Sequence, residues 1–179
     1  MKSHQIIFLG LLCLAFTACA LSGESNSTPQ MSLYSSPVAN GKDTLKISYA
    51  GKDDYDYLMD TISVGDTVQF KFVLNAVSNN LVGFALTRPN DTISTKIILP
   101  TESSLNGVFV KASSNYSAGK FMFIAKQSYA YFPFSYVAKA ASTNSILKFY
   151  LQSDANFGTS STGVNYVSFK LKTPIKAKK

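Results

Sequence analysis

The stretch TVQFKFVL, residues 67–74, decides the fold class. Its side chains alternate between apolar and polar with a period of about two, the pattern of a strand that has one buried face and one solvated face. The residues on the apolar face are Val68, Phe70, Phe72 and Leu74. Gln69 and Lys71 occupy the other face, so the segment is predicted to be a β-strand that covers a hydrophobic core.

The same alternation recurs along the chain from about residue 42 onward. It is found in TLKISYA (44–50), GVFVKA (107–112), KFMFIA (120–125), SILKFYLQ (145–152) and VNYVSFKL (164–171). In the first of these, Leu45, Ile47 and Tyr49 are predicted to share one face. Turn clusters rich in Gly, Asn, Asp and Ser separate these segments. No segment after the N-terminal apolar run has the periodicity of a helix. We therefore predict an all-β fold, an antiparallel β-sandwich of the immunoglobulin-like, Greek-key kind.

The N-terminal residues predict export from the cytoplasm. The apolar run over residues 6–16 follows a lysine and is too short to span a bilayer, which takes about 20 residues. This pattern is typical of a secretory signal peptide. Two cleavage sites remain open. Ala18 and Ala20 have the A-x-A spacing of a plainly secreted protein, whereas FTAC (16–19) ends on a cysteine.

The FTAC segment resembles the lipobox of bacterial lipoproteins, and we favour this interpretation. The resemblance implies cleavage before Cys19 and attachment of lipid, including palmitate-type chains, to that residue. Each methylene of an acyl chain that is buried in a membrane contributes about 0.8 kcal/mol, so two or three acyl chains together anchor a protein firmly. The predicted organisation is a signal peptide over 1–18, a lipidated cysteine and flexible tether over 19–41, one β-sandwich domain over 42–175 and a basic tail over 176–179.

The composition excludes several classes of chemistry. Both cysteines, Cys13 and Cys19, and the single histidine, His4, precede the predicted domain, and the chain has no tryptophan. Nucleophilic sites that depend on His and zinc sites made of His or Cys are therefore not available to the domain. We predict a protein that is not an enzyme, with no catalytic residues and no cofactor.

The charge balance is basic, with 17 Lys and Arg against 10 Asp and Glu and a net charge of +7. The lysines are spread singly along the predicted strands, whereas nucleic-acid binding needs a concentrated basic stripe. We therefore predict no nucleic-acid partner. Two interpretations remain open for the basic charge: a solvated lysine-rich surface, or attraction to an anionic envelope surface or an acidic polysaccharide.

The segment QSYAYFPFSYVA, residues 127–138, provides the candidate ligand contact. Alternation places Tyr129 and Tyr131 on its outer face. Pro133 cannot donate to a β-ladder, so this strand is predicted to lie at an edge or bulge. Two neighbouring outward tyrosines can stack on sugar rings or anchor a protein partner, and the alternative is that another segment covers them.

An acidic segment, GKDDYDYLMD (51–60), provides a weak metal candidate. Asp53, Asp54 and Asp56 are carboxylates of the type that binds calcium, but the residues that follow do not fit the EF-hand pattern. We therefore predict a solvated acidic loop and no metal. A carboxylate pair for glycan hydrolysis is a distant alternative that the spacing does not support.

A short motif of Asp, Thr and an apolar residue occurs four times. It fits ordinary turn-to-strand chemistry, in which Asp caps a turn. It also resembles the motif that receives O-linked glycans in envelope proteins of Bacteroidetes. That resemblance implies four candidate O-glycan acceptors, which are Thr44, Thr61, Thr67 and Thr92.

Signal, lipobox-like cysteine, polar tether and a β-body rich in Tyr, Phe and Asn together resemble the small envelope lipoproteins of Bacteroidetes. The resemblance implies an outer-membrane-anchored protein of the cell envelope, on either membrane face. We predict a non-catalytic binding or accessory module whose partners are the membrane and a glycan or an envelope protein. The alternative is a structural or adhesive subunit that associates through strand edges.

Overall fold

The computed structural model describes residues 26–89, 92–105, 107–158 and 163–178. The predicted signal peptide and Cys19 lie outside these residues. Within the described part of the chain, no helix is long and apolar enough to cross a membrane.

Strands are the main regular secondary structure of the described residues, and they make up 48% of the structure against 5% helix. In chain order, the strands are β1 (Gln30–Leu33), β2 (Val38–Ala39), β3 (Asp43–Thr44), β4 (Ile47–Tyr49), β5 (Tyr57–Met59), β6 (Ile62–Ser63), β7 (Thr67–Asn75), β8 (Leu81–Thr87), β9 (Thr95–Ile98), β10 (Lys120–Met122), β11 (Tyr129–Ala138), β12 (Ile146–Ser153), β13 (Tyr166–Lys172) and β14 (Ile175–Lys176). One helical turn, α1 (Glu102–Leu105), and one 3-10 turn (Lys111–Ser113) interrupt them. The predicted all-β class is confirmed.

Two six-stranded sheets account for most of these strands. Sheet A has the order β3-β2-β7-β11-β9, and β1 also pairs with β7, next to β2. Sheet B has the order β10-β8-β12-β13-β5-β4, and β14 pairs separately with β6. Most neighbours are antiparallel as predicted, but β5 pairs in parallel with β13, and β6 with β14. Most of the domain separates β5 from β13 in sequence, so no hairpin turn forces the antiparallel direction there.

Aromatic rings from the two sheets meet between them and form the core of a β-sandwich. Phe72 of sheet A lies 4.7 Å from Phe149 of sheet B, measured between ring centroids. Phe132 of sheet A lies 4.6 Å from Phe84 of sheet B. Burial of one such side chain stabilises the fold by about 1.5–3 kcal/mol, so these contacts hold the sheets face to face.

The inward faces that alternation predicts for β7 and β11 are confirmed. The residues of β7 at its four predicted apolar positions are almost fully buried. In β11 the buried residues are Ala130, Phe132, Phe134, Tyr136 and Ala138. The predicted apolar face is not buried at Tyr49, which is 76% exposed because β4 is the edge strand of sheet B. Its ring meets Tyr57 edge to face.

The sheets begin earlier in the chain than the predicted boundary at residue 42. Gln30–Leu33, inside the predicted tether, pairs with β7, and Val38 pairs with Gln69. Met31 and Leu33 alternate with polar residues and pack partly buried against the core, a pattern too short to stand out within a polar segment. At the other end, Lys176 of the predicted basic tail pairs with Ser63.

A buried hydroxyl network joins the two sheets near one end of the sandwich. The Tyr136 hydroxyl of sheet A forms hydrogen bonds with the Ser145 hydroxyl and, at 2.8 Å, with the Thr173 hydroxyl. All three residues are 1% exposed or less. A phenol in this apolar layer is tolerated because its hydroxyl is paired.

We expect Tyr136→Phe to lower the free energy of unfolding by about 1–2 kcal/mol, because two buried hydroxyls lose a partner. Urea denaturation monitored by fluorescence measures the change. Tyr166→Phe is the matched control, since Tyr166 is 44% exposed and its hydroxyl can bond to water. Equal losses in the two variants would contradict a role for the network.

Candidate functional site

The outer face of sheet A carries the candidate site, and its strand register determines which residues point there. Phe70 and Phe72 of β7 point into the core, so the residues between and beside them point outward. β11 is paired with β7 so that Tyr131 lies opposite Val73, and Pro133 opposite Lys71. The outward tyrosines of β11 therefore lie beside the outward polar residues of β7.

Three tyrosines and one lysine form what we call the tyrosine cluster, which consists of Tyr34, Lys71, Tyr129 and Tyr131. The Tyr131 ring meets the Tyr34 ring edge to face at 5.4 Å and the Tyr129 ring edge to face at 5.1 Å. The Lys71 ammonium lies 4.1 Å from the Tyr34 ring centroid and 4.5 Å from that of Tyr131. These cation–π contacts, each worth about 0.5–1 kcal/mol at exposed sites, hold the ammonium in place.

The cluster is open to solvent. Tyr34 is 57% exposed, and Tyr129 and Tyr131 are 39% and 43% exposed. Among the described residues, the only ion pair joins Lys111 and Glu102, so Lys71 has no carboxylate partner there. The cluster therefore offers aromatic surface, phenol hydroxyls and a positive charge to an incoming ligand.

A shallow groove of about 470 Å³ continues from the cluster across sheet A. Its residues come from the segment after β1, from β7, from β11 and from the end of β9, and they include Ser35, Ser36, Gln69, Lys71, Pro133, Ser135, Ile98 and Pro100. The groove crosses β7 and β11, which as neighbouring strands lie about 4.8 Å apart. Its lining combines hydroxyl and amide groups with apolar walls, as ligand-binding clefts do.

Pro133 leaves one side of β11 unpaired at the cluster. The β9 strand pairs with β11 only from Ser135 to Ala138, so no described strand covers the part from Tyr129 to Phe134 on that side. The carbonyl of Lys71, opposite Pro133, accepts a hydrogen bond from the Tyr34 amide on the other side of β7. Pro133 thus occupies a position that needs no donor toward β7. The prediction of an edge strand is wrong for β11 as a whole, because β9 pairs with its C-terminal part; among the described residues, only the segment from Tyr129 to Phe134 is unpaired on that side.

Sequence reasoning identified only two members of the cluster. Alternation placed Tyr129 and Tyr131 on the outer face, and the structure has them there. Alternation did not identify Tyr34 as a member, because Tyr34 lies in the predicted tether. It also did not predict that Lys71 lies beside the tyrosines. The polar face of β7 was a signal for Lys71, but only strand pairing shows which side chains become neighbours.

The acidic segment before β5 contacts β13. Among the described residues, no three His, Cys, Asp or Glu side chains gather closely enough to hold a metal ion. The Asp56 carboxylate instead accepts the Lys170 amide at 2.7 Å, and the Asp53 carbonyl accepts the Lys170 ammonium at 3.1 Å. Of the weak metal candidate Asp53, Asp54 and Asp56, one carboxylate is thus engaged with β13, and the predicted solvated acidic loop stays a prediction.

Two of the four Asp-Thr motifs lie at strands: Asp43 and Thr44 form β3, and Thr67 begins β7 directly after Asp66. Asp91 of the fourth motif lies outside the described residues. Thr44, Thr61 and Thr92 are exposed, whereas Thr67 is half-buried and donates its amide to Asn40. The Asp66 carboxylate accepts Asn40 and the Ser63 amide, and the Asn40 bond is the largest cause that lowers the pKa of Asp66. The turn-capping interpretation thus holds at Asp66, and the glycan acceptors stay a prediction.

Comparison with known proteins gives little further guidance. No family model matches the sequence, and no curated protein matches it. A DUF4466 family protein from Parabacteroides merdae, a Bacteroidetes organism, is a distant structural neighbour with 13% sequence identity and a TM-score of 0.37. The match covers 79% of this chain and 45% of that protein, so this chain spans less than half of its neighbour's length.

The tyrosine cluster predicts an unusual alkaline titration. A hydrogen bond with Tyr131 is the largest cause that raises the pKa of Tyr129 above its ordinary value. We expect Tyr131→Phe to lower the Tyr129 pKa, since the phenol loses that bond. NMR of ¹³C-labelled tyrosine follows each ring through the titration. Tyr166→Phe, on the other sheet, is the control, and an unchanged Tyr129 pKa in Tyr131→Phe would contradict the assigned bond.

Proposed function

We propose that the protein is a non-catalytic binding module of the cell envelope, tethered to the outer membrane through lipidated Cys19. In this proposal, the outer face of sheet A presents the tyrosine cluster and its groove to a glycan or an envelope protein. The proposal rests on one observation: the exposed Tyr34 and Tyr131 rings meet each other, and the Lys71 ammonium lies over both.

Three properties of the cluster support ligand binding. Exposed tyrosines are suited to it, since each ring provides a large apolar surface at low entropic cost and a hydroxyl for hydrogen bonding. The rings are held by one another and by Lys71, so little further ordering is needed when a ligand arrives. The groove beside them extends the contact beyond a single side chain.

The residue types support binding over catalysis. The domain contains no His or Cys, since His4, Cys13 and Cys19 all precede it. The outward positions of β7 and β11 carry no Asp or Glu, so the groove lacks the carboxylate pair of a glycan hydrolase. The immunoglobulin-like form of the sandwich belongs to the same proposal, because such folds commonly carry binding surfaces on a rigid framework.

Pro133 favours a face-bound ligand over association through strand edges. An added strand on the open side of β11 would meet a residue without an amide donor. This interrupts a regular ladder near the C-terminal end of the unpaired segment from Tyr129 to Phe134. The structural-subunit alternative loses support at this edge.

The proposed anchor predicts that lipid is attached to the protein at Cys19. In cells grown with radioactive palmitate, the protein should carry label, and Cys19→Ser should lose it. Cys13→Ser is the control, because Cys13 follows Leu12 and does not fit the lipobox. A wild-type protein that stays unlabelled and floats free of membranes would refute the anchor.

The binding face predicts a loss of affinity on removal of its rings. The full chain, purified in a non-ionic detergent, is tested on arrays of glycans and envelope proteins. Tyr129→Ala combined with Tyr131→Ala should weaken binding to the ligand found by about 50-fold or more, since each ring contributes a contact of hot-spot size.

Tyr49→Ala is the matched control for that experiment, since Tyr49 is an exposed ring at the far edge of sheet B. Its affinity should equal that of the wild type. If the double variant binds as tightly as the wild type, or if the arrays return no ligand, the proposed function is refuted.

A further inference from the structure

We propose a second binding surface, on the outer face of sheet B, that takes an acidic polysaccharide. It goes beyond the proposed function, because it lies on the opposite sheet from the tyrosine cluster. We call it the lysine face. It consists of Lys120, Lys148, Lys170 and Lys172 together with Tyr150 and Tyr166.

Strand register places these side chains on one surface. Leu147, Phe149 and Leu151 of β12 are fully buried, so the residues between them point outward. Lys148 lies directly opposite Lys170, and Lys120 lies in the row of Ala85 and Tyr150. The lysine face therefore spans β10, β8, β12 and β13.

The pairing of Lys148 with Lys170 is the observation that points to an anion. Like charges directly opposite each other on neighbouring strands destabilise a sheet, whereas opposite charges stabilise it. Lys148 is exposed, and no described carboxylate forms an ion pair with it. An anionic ligand bound between the two ammonium groups would remove the repulsion and so gain affinity.

Among the described residues, acidic groups lie at two margins of the face. Asp53, Asp54 and Asp56 belong to the loop beside β13, where the Lys170 ammonium donates to the Asp53 carbonyl and the Lys170 backbone amide donates to the Asp56 carboxylate. At the same margin the Lys172 ammonium lies 4.8 Å from the Tyr55 ring centroid. At the other margin, Asp154 follows β12 and accepts hydrogen bonds from Asn80. Lys120 and Lys148 lie away from the loop of Asp53, Asp54 and Asp56, on the strands that flank β8.

The tyrosines of the lysine face indicate a sugar. The Tyr150 and Tyr166 rings lie 5.6 Å apart and nearly parallel, at 22°, and Tyr166 is 44% exposed. Their neighbours Gln152 and Ser168 offer amide and hydroxyl groups at outward positions. Aromatic surface, hydrogen-bonding groups and ammonium groups together match a chain of sugar rings that carry carboxylates.

Other polyanions fit the lysine face less well. Lysine is depleted at the centre of protein interfaces, which argues against an acidic protein. An anionic bilayer would be expected to meet several protruding apolar side chains as well as charge. On this surface the outward neighbours of Lys120 and Lys148 on β8 are Ala85 and Thr87, which are short, and Met122 of β10 is an apolar side chain that is 38% exposed.

The probe is polygalacturonate, with neutral dextran as the uncharged comparison, and the protein is the full chain in a non-ionic detergent. We expect polygalacturonate to bind at about 0.05 M NaCl and to be largely released at about 0.5 M, because salt screens exposed charges. Dextran should not bind. Absence of polygalacturonate binding at low salt, or equal binding of dextran, would overturn the proposal.

Single charge variants locate the site. Lys148→Gln should weaken polygalacturonate binding about fivefold, the loss expected for one exposed charge contact, and Lys148→Arg should retain it. Lys96→Gln, an exposed lysine on the edge strand of sheet A, is the matched control and should bind as the wild type does. Equal losses in Lys148→Gln and Lys96→Gln would mean non-specific attraction and overturn the site.

A ligand-free measurement tests the repulsion itself. At low salt, Lys148→Gln should be at least as stable to heat as the wild type, and polygalacturonate should raise the wild-type melting temperature more than that of the variant.

A competition experiment with vesicles of phosphatidylglycerol tests whether the ligand is a lipid surface instead. If they compete fully with polygalacturonate at lower charge concentration, the ligand is a lipid surface and the polysaccharide assignment is overturned.

The two binding surfaces are separable in this experiment. The variant with Tyr129→Ala and Tyr131→Ala should bind polygalacturonate normally, because its changes lie on sheet A. Loss of polygalacturonate binding in that variant would overturn the placement on sheet B. Loss of only the array ligand would leave both surfaces as proposed.

Discussion

The pairing of β7 with β11 is the constraint on which the core and the candidate site both depend. The two strands run in continuous register from Tyr129 opposite Asn75 to Val137 opposite Thr67. Because side chains alternate along a strand, this register places Phe72 and Phe132 inside and sends the intervening residues outward. A slip of one residue would exchange the two sets, so the hydrophobic core selects the register that also builds the tyrosine cluster.

The core that selects this register is made of phenylalanine rings. The described part of the chain has no cysteine, so no disulfide can join the sheets, and burial of apolar surface must hold them together. Rings such as Phe134 contact Phe70 within sheet A and Phe149 across the sandwich, at 4.8 and 6.0 Å between centroids. Such a framework keeps the outer faces of both sheets in fixed positions, which a binding surface requires.

Alternation in the sequence was enough to predict the long strands and their inward faces. It succeeded for β7, β11 and β12 because each has several apolar residues at every second position. It failed for β1, where only Met31 and Leu33 carry the pattern, and it gave no information on the parallel pairs. Local patterns say which face of a strand is buried, but pairing between distant segments decides which strands become neighbours.

The same limit explains why the candidate sites were only partly predictable. Tyr129 and Tyr131 are two residues apart and share a strand, so one segment was enough to find them. Tyr34 reaches Tyr131 only because β1 pairs with β7, and Lys148 faces Lys170 only through the register of β12 with β13.

The two outer faces also differ in how they hold their lysines. On sheet A, the Lys71 ammonium lies over two tyrosine rings, so aromatic contacts compensate for its position. On sheet B, Lys148 and Lys170 face each other, and the repulsion between them is not offset on the Lys148 side. In our proposal, an anion bound beside Lys148 would offset this repulsion and so stabilise the sheet. The cluster on sheet A, by contrast, is held together by contacts among its own side chains.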